Sequence, residues 1–193
     1  MEIYININGV LRNFIQKFEY HYKKEFQYED ENAENNGFDY NIIYPINNDK
    51  LLSSFKFHSK KEFENFIFVE FPLEIFGHAG ISYLTVMTDL NRLMYENPQH
   101  NFTVIGIDEM GKSRPATLFF LSKNGFLGNN IKFIRSDDIK TEWEKCDLWI
   151  TDSKNILKQK PSDKKSILFE TDYNKKIRID KKHKIKTLKN LII

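Results

Sequence analysis

The sequence is poor in residues that cross-link a chain or interrupt its regular structure. Its 193 residues include one cysteine, Cys146, five prolines and eight glycines. A single cysteine excludes an internal disulfide and a zinc site of several thiolates, and the apolar neighbours of Cys146 favour a buried structural thiol. No apolar run approaches the roughly 20 residues that cross a bilayer, and nothing at the N-terminus resembles a secretory signal. We therefore expect no membrane partner and no export through a signal peptide.

The charges nearly balance over the whole chain, with a net charge of +2 at pH 7, but they are unevenly distributed. Residues 175–189 hold eight lysines and arginines and one aspartate. We interpret residues 173–193 as a basic C-terminal extension, in which Lys181, Lys182 and Lys184 are candidate contacts for a protein partner or for nucleic acid. The alternative is a solvated segment whose isoleucines and leucines pack inward.

Short apolar strands alternate with amphipathic helices along much of the chain. Strands are predicted at residues 2–7, 38–46, 101–107, 131–134, 147–151 and 166–170, and helices at 10–26, 60–71, 83–95, 114–124 and 139–144. Pro115 near the start of one helix and Gly125 just after it are typical helix boundaries. Because parallel strands need crossover connections, the alternation predicts an α/β fold with a parallel sheet and helices on both faces.

The long stretch between the first helix and residue 100 predicts an insertion. We divide the chain into a core of residues 1–27 and 101–172, an inserted cap of residues 28–100, and the basic extension. In parallel sheets, ligands lie beyond the carboxyl ends of the strands. Asn6, Asn8 and Asp152 follow strands in this way, which makes this edge of the sheet the expected functional site.

Two motifs at these strand ends resemble those of the haloacid dehalogenase-like (HAD) superfamily of phosphatases and nucleotidases. The segment IYININGV, at residues 3–10, resembles the first motif, an apolar strand followed by Asp-x-Asp-Gly. CDLWITD, at 146–152, resembles the fourth, in which acidic residues help to hold magnesium. Residues 103–125 lie where the second and third motifs belong, with Arg114 the nearest substitute for the family's lysine. The composition and NGVLRN are similar to HAD-like proteins of tailed bacteriophages.

The resemblance implies a nucleophile at position 6 and a general acid and base at position 8, and both positions are asparagine. An amide carries no charge for attack on phosphorus and exchanges no protons near neutral pH. Without a carboxylate at position 6, magnesium would depend on Asp147 and Asp152, which lie at opposite ends of one strand, about 16 Å apart at about 3.3 Å per residue. Only Asp152 is well placed.

We therefore expect a catalytically degenerate HAD-like domain without a cofactor, in the cytoplasm or in a virion. Its expected role is structural or protein-binding, for example as a bacteriophage virion or assembly component. Leu73, Ile75 and Phe76, in PLEIFGHAG, are predicted to form an exposed contact segment.

Two alternatives stay open. One is a magnesium-dependent phosphatase or 5′-nucleotidase that takes its carboxylates from Asp108, Glu109 and Asp152. The other is a phosphate or nucleotide sensor, in which the turn from Asn6 to Gly9 binds the anion at the start of a helix, and for which Arg114 and Asp152 are further candidate contacts.

Overall fold

A computed structural model describes residues 1–25, 57–175, 177–189, 191 and 193 of the chain, without the side chains of Lys60 and Lys182. The predicted strand at residues 38–46 and residues 28–56 of the expected cap lie outside the described residues. So does the side chain of Lys182, one of the predicted contacts.

Eight strands and six α-helices are described. The strands are β1 (Glu2–Asn6), β2 (Arg12–Asn13), β3 (Gly80–Ile81), β4 (Asn101–Ile107), β5 (Ile131–Ile134), β6 (Leu148–Thr151), β7 (Lys165–Phe169) and β8 (Lys184–Ile185). The helices are α1 (Phe14–Glu25), α2 (Lys60–Asn65), α3 (Val86–Glu96), α4 (Arg114–Lys123), α5 (Ile139–Lys145) and α6 (Lys154–Lys158). Each helix in the described part is too short or too polar to cross a membrane.

Six strands form one parallel sheet in the order β5-β4-β1-β6-β7-β8. The chain moves outward from β1 through β4 to β5 and then returns to β6 on the other side of β1. This is the strand order of doubly wound, Rossmann-like sheets, in which a crevice forms at the carboxyl ends of the two strands where the direction reverses. The predicted parallel α/β sheet is confirmed, and β1 and β6 flank the reversal.

Helices cover both faces of the sheet because alternate side chains of each strand point to opposite faces. On one face, Ile3 and Ile5 of β1 lie in a cluster with Val86 and Leu90 of α3 and Phe120 of α4. On the other face, a second cluster joins strand side chains to α5 and α6, and it contains Tyr4, Trp143, Trp149 and Ile156.

Cys146 belongs to the second cluster and is fully buried. Burial raises the pKa of its thiol to about 12, so the thiolate that reacts with oxidants or metals is not formed near neutral pH. The prediction of a buried structural thiol is confirmed.

Residues 57–79 of the expected cap fold against α1. After α2 the chain forms two π-helical segments, Phe66–Glu70 and Leu73–Gly77, whose aromatic side chains join an apolar cluster with α1. Ile75 and Phe76 are fully buried in that cluster, and the Phe76 ring stacks on Phe14 with the ring centroids 5.7 Å apart. The prediction that PLEIFGHAG exposes Ile75 and Phe76 to a partner is therefore wrong, and of the three predicted contacts only Leu73, with 44% of its surface accessible, is exposed.

Two further boundaries differ from those expected. The first helix begins at Phe14 and not at residue 10, because residues 7–11 form a turn and β2 pairs with β3 in a separate antiparallel ribbon. Helix α3, within the predicted insertion, packs directly on the sheet. It is the crossover that leads into β4.

The basic C-terminal segment is part of the sheet. Strand β8 pairs with β7, Leu188 is fully buried, and the Leu188 amide donates to the Tyr83 hydroxyl at 2.8 Å. The ammonium of Lys184 binds the Glu170 carboxylate, whereas Lys181 is exposed. Ile185, Leu188, Leu191 and Ile193 thus pack on the core, while several lysines of this segment face solvent.

Candidate functional site

The turn after β1 lies at the carboxyl edge of the sheet and depends on Gly9. The amides of Leu11 and Arg12 both donate to the carbonyl of Ile7, at 3.0 and 2.8 Å, and the Gly9 amide donates to the Arg12 carbonyl at 2.8 Å. Gly9 has a φ of +80°, and a Cβ atom added there would lie 1.9 Å from Oδ2 of Asp152. Both the backbone conformation and the approach of this carboxylate require glycine.

Asn6 is buried and hydrogen-bonded across the sheet. Its side-chain oxygen accepts from the indole Nε1 of Trp149 at 2.7 Å, and only 1% of its surface is accessible. Trp149 is held in turn by an edge-to-face contact with Tyr4, with the centroids 5.3 Å apart. The amide thus joins β1 to β6 within the protein interior.

Asn8 is held in the same way by a buried guanidinium. Its Oδ1 accepts from Nε and Nη2 of Arg12 at 2.9 and 2.7 Å. Nη1 of Arg12 donates to the Phe76 carbonyl at 3.0 Å and to Oγ1 of Thr117 at 3.1 Å, and the guanidinium lies over the rings of Phe76 and Phe120. Arg12 therefore ties the turn after β1 to a π-helical segment and to α4.

Asp152 lies at the end of β6, as predicted, and is completely buried. The Tyr173 hydroxyl donates to its Oδ2, and the side-chain amide of Asn174 donates to its carbonyl at 3.0 Å. The same amide also donates to the Phe169 carbonyl at 2.8 Å. These bonds fasten the segment after β7 to the end of β6.

The acidic residues after β4 stabilise loops. Oδ2 of Asp108 accepts from the Ser113 amide at 2.9 Å, and Oε1 of Glu109 accepts from the Ser136 amide at 3.0 Å. Arg114 is exposed, with its guanidinium carbon 5.5 Å from the centroid of the Phe133 ring on β5. In the described part of the chain, no three histidine, cysteine or acidic side chains are grouped so that they could hold a metal ion. Asp147, at the opposite end of β6, accepts from the Glu2 amide at 2.9 Å.

A cleft of about 370 Å³ opens beside this turn. Its walls come from the turn after β1, the start of α1, the segment before α3, and the segments that follow β7 and β8. The lining residues are Gly9, Asn13, Ile15, Gln16, Ser82, Tyr83, Phe169, Glu170, Thr171, Asp172, Tyr173, Lys175 and Lys186. Asn6, Asn8 and Arg114 do not line it, and of the predicted site residues whose side chains are described only Gly9 does.

Two groups of ion pairs form part of the cleft wall. The Glu170 carboxylate accepts from Lys184 and from Lys186, the latter at 3.1 Å, and these hydrogen bonds hold the pKa of Glu170 below its ordinary value. Asp172 pairs with Lys175 at 2.7 Å, which raises the pKa of Lys175. No sequence motif marks these residues, although the carboxyl-end rule applied to the predicted strand at 166–170 points to residues 170–172.

Comparison of the sequence with protein-family models gave no match, and comparison with curated proteins gave none either. The function is therefore inferred from the motifs and from the geometry of this edge of the sheet.

Proposed function

We propose that the chain is a non-catalytic HAD-like domain with a structural or protein-binding role, as in a bacteriophage virion or assembly component. Residues 57–81 belong to its cap. The observation that carries this proposal is that both asparagine side chains are buried and hydrogen-bonded within the protein. The side-chain oxygens of Asn6 and Asn8 accept hydrogen bonds from Trp149 and Arg12 in the protein interior. The positions that the resemblance assigns to catalysis thus hold the fold together.

The geometry supports this inference independently of the residue types. A nucleophile or a proton donor must come within about 3 Å of the substrate, and both asparagine side chains are buried away from the cleft. An amide at position 6 satisfies the indole N–H of Trp149 without placing a charge in a buried site, which would be costly.

A protein-binding role is supported by an exposed apolar patch, which is formed by Leu73 of the second π-helical segment and by Leu118 and Phe119 of α4. Leu73 and Phe119 flank Gly77, whose added Cβ would lie 2.7 and 3.3 Å from their side chains. Leu73, Leu118 and Phe119 each expose more than 40% of their surface. Adjacent exposed apolar and aromatic side chains are typical of protein interfaces. Leu73 therefore remains a contact candidate from the predicted segment.

The absence of catalysis is tested by phosphate release from an aryl phosphate in millimolar magnesium. The wild-type protein is expected to release no more phosphate than an Asp152→Asn variant, and magnesium is expected to leave its melting temperature unchanged, because no ion binds the native state. Magnesium-dependent release that disappears in Asp152→Asn would overturn the non-catalytic proposal and favour the phosphatase alternative.

The protein-binding role is tested by measuring how much of the chain is incorporated into virions isolated from the bacteriophage that is expected to encode it. The double variant Leu73→Ser/Phe119→Ser is expected to be incorporated about tenfold less than wild type, because interface anchors carry most of the binding energy. The matched control is Leu84→Ser/Tyr95→Ser, which changes two other exposed side chains. Equal incorporation of both variants, or absence of the wild-type chain from the particles, would contradict the assignment.

A further inference from the structure

We propose that the cleft beside Gly9 is a binding site for the oxyanion of a small molecule, a carboxylate or a phosphate, held by Lys186 and Lys175. The cleft has the volume of a small-ligand pocket, about 370 Å³. It also lies at the carboxyl edge of the sheet, beside the reversal of strand order, where ligands of such folds bind. This site is separate from the side chains of Asn6 and Asn8.

Lys186 can turn toward a ligand without leaving its present partner unpaired. Glu170 is bound by two ammonium groups, and Lys184 is the more buried of the two, with 18% of its side chain exposed against 75% for Lys186. When Lys186 moves to an anion in the cleft, Glu170 keeps Lys184. Among the residues that line the cleft, Lys175 and Lys186 balance Glu170 and Asp172, and Lys184, which pairs with Glu170 from outside the lining, adds one positive charge next to this wall.

Lys175 is also available at little cost. Its pair with Asp172 is exposed on both sides, with 59% and 85% of the two side chains accessible. Exposed ion pairs of this kind contribute little to stability. An anion that binds both lysines therefore replaces a weak ion pair with charge-assisted hydrogen bonds, which are stronger than hydrogen bonds between neutral groups.

Neutral donors complete the wall. Asn13, the last residue of β2, and Gln16, in the first turn of α1, line the cleft, and the two hydrogen bonds between them are long, at 3.4 Å. Oγ1 of Thr171 is buried and has no hydrogen-bond partner among the described residues, and Thr171 lines the same cleft. A buried hydroxyl without a partner is uncommon, and a rotation of the Thr171 side chain toward the cleft would let this hydroxyl donate to an anion oxygen there.

The test is a titration of the isotope-labelled protein with inorganic phosphate and, separately, with malonate, followed by NMR at constant ionic strength set with sodium chloride. Saturable shifts are expected at the amides of Gln16, Thr171 and Lys186 with at least one of the two anions, and the anion that saturates identifies the ligand class. Lys186→Met is expected to weaken binding about tenfold, as for the loss of one charge-assisted hydrogen bond. Lys189→Met, an exposed lysine outside the cleft, is the matched control.

A second variant separates binding from folding. Thr171→Val keeps the shape of the side chain and removes a hydroxyl that no described residue uses, so its melting temperature is expected to equal or exceed that of wild type. Binding is expected to weaken. Shifts that fail to saturate with both anions, or that respond equally to Lys186→Met and Lys189→Met, would overturn the proposal.

Discussion

Two neighbouring regions of the sheet edge use polar residues in opposite ways. At the turn after β1, Asn6, Asn8 and Arg12 are buried, and each makes hydrogen bonds inside the protein. In the cleft, the side chains of Lys175 and Lys186 are mostly exposed and pair with the exposed carboxylate of Asp172 and the partly buried carboxylate of Glu170. The asparagines of the motif therefore stabilise the fold, and the charged side chains that line the cleft belong to no motif.

Gly9→Ala is expected to have the largest effect, because it places a methyl group in the buried carboxylate of Asp152 at a residue with φ of +80°. A loss of about 4 kcal/mol in the free energy of unfolding is expected from overpacking and backbone strain combined. Chemical denaturation measures it.

Gly111→Ala is the matched control, because Gly111 also has a positive φ, +68°, but no atom lies within 4 Å of its added Cβ. Only the backbone term remains, about 1 kcal/mol. Equal losses in the two variants would show that contact with Asp152 contributes nothing.

Elements marked by a local sequence pattern are predictable, whereas elements that depend on packing between distant segments are not. Strand β4 has the bounds that its apolar run predicts, and helix α4, which Pro115 and Gly125 delimit, ends one residue before the expected end. Strand β8 is missed because two residues pair among many lysines. The π-helical segments are missed because their register depends on packing of Phe76 against α1, which periodicity does not encode.

For the site, position is more predictable than contact. The rule of the carboxyl ends places Asp152 and Gly9 at the right edge of the sheet. It does not predict that Asn6 bonds to Trp149, because the two residues are 143 positions apart. The cleft combines residues from five separate segments, and one sequence carries no signal that joins them.

Replacing Arg12 with methionine tests whether the buried hydrogen bonds at the turn after β1 stabilise the fold. The variant leaves the Asn8 oxygen, the Phe76 carbonyl and Thr117 without this donor, and a loss of about 3 kcal/mol in the free energy of unfolding is expected. Lys186→Met, in the cleft, is the control and is expected to lower stability by less than about 0.5 kcal/mol, as for an exposed ion pair. Similar losses of unfolding free energy in Arg12→Met and Lys186→Met would mean that the buried polar residues stabilise the fold no more than those of the cleft.

A pair of glutamates sharpens the comparison, because each binds two lysines and they differ in burial. Glu142, on the other face of the sheet, accepts from Lys132, Lys145 and the Tyr4 hydroxyl, with 5% of its side chain exposed against 14% for Glu170. Burial alone would raise the pKa of Glu142, but these hydrogen bonds outweigh it and hold that pKa below its ordinary value.

Glu142→Gln is expected to cost about 2 kcal/mol at pH 7, because buried hydrogen bonds to a charged group are lost, and Glu170→Gln is expected to cost less. Since the pKa of Glu142 is lower in the folded chain, its contribution is present above the unfolded pKa of about 4.5 and is lost as the pH falls through the folded pKa. Denaturation between pH 7 and pH 3 should therefore show a smaller loss of stability in Glu142→Gln than in wild type. An unchanged pH dependence would mean that the lysines do not hold this carboxylate ionised, and the buried group would then differ from Glu170 in solvation alone.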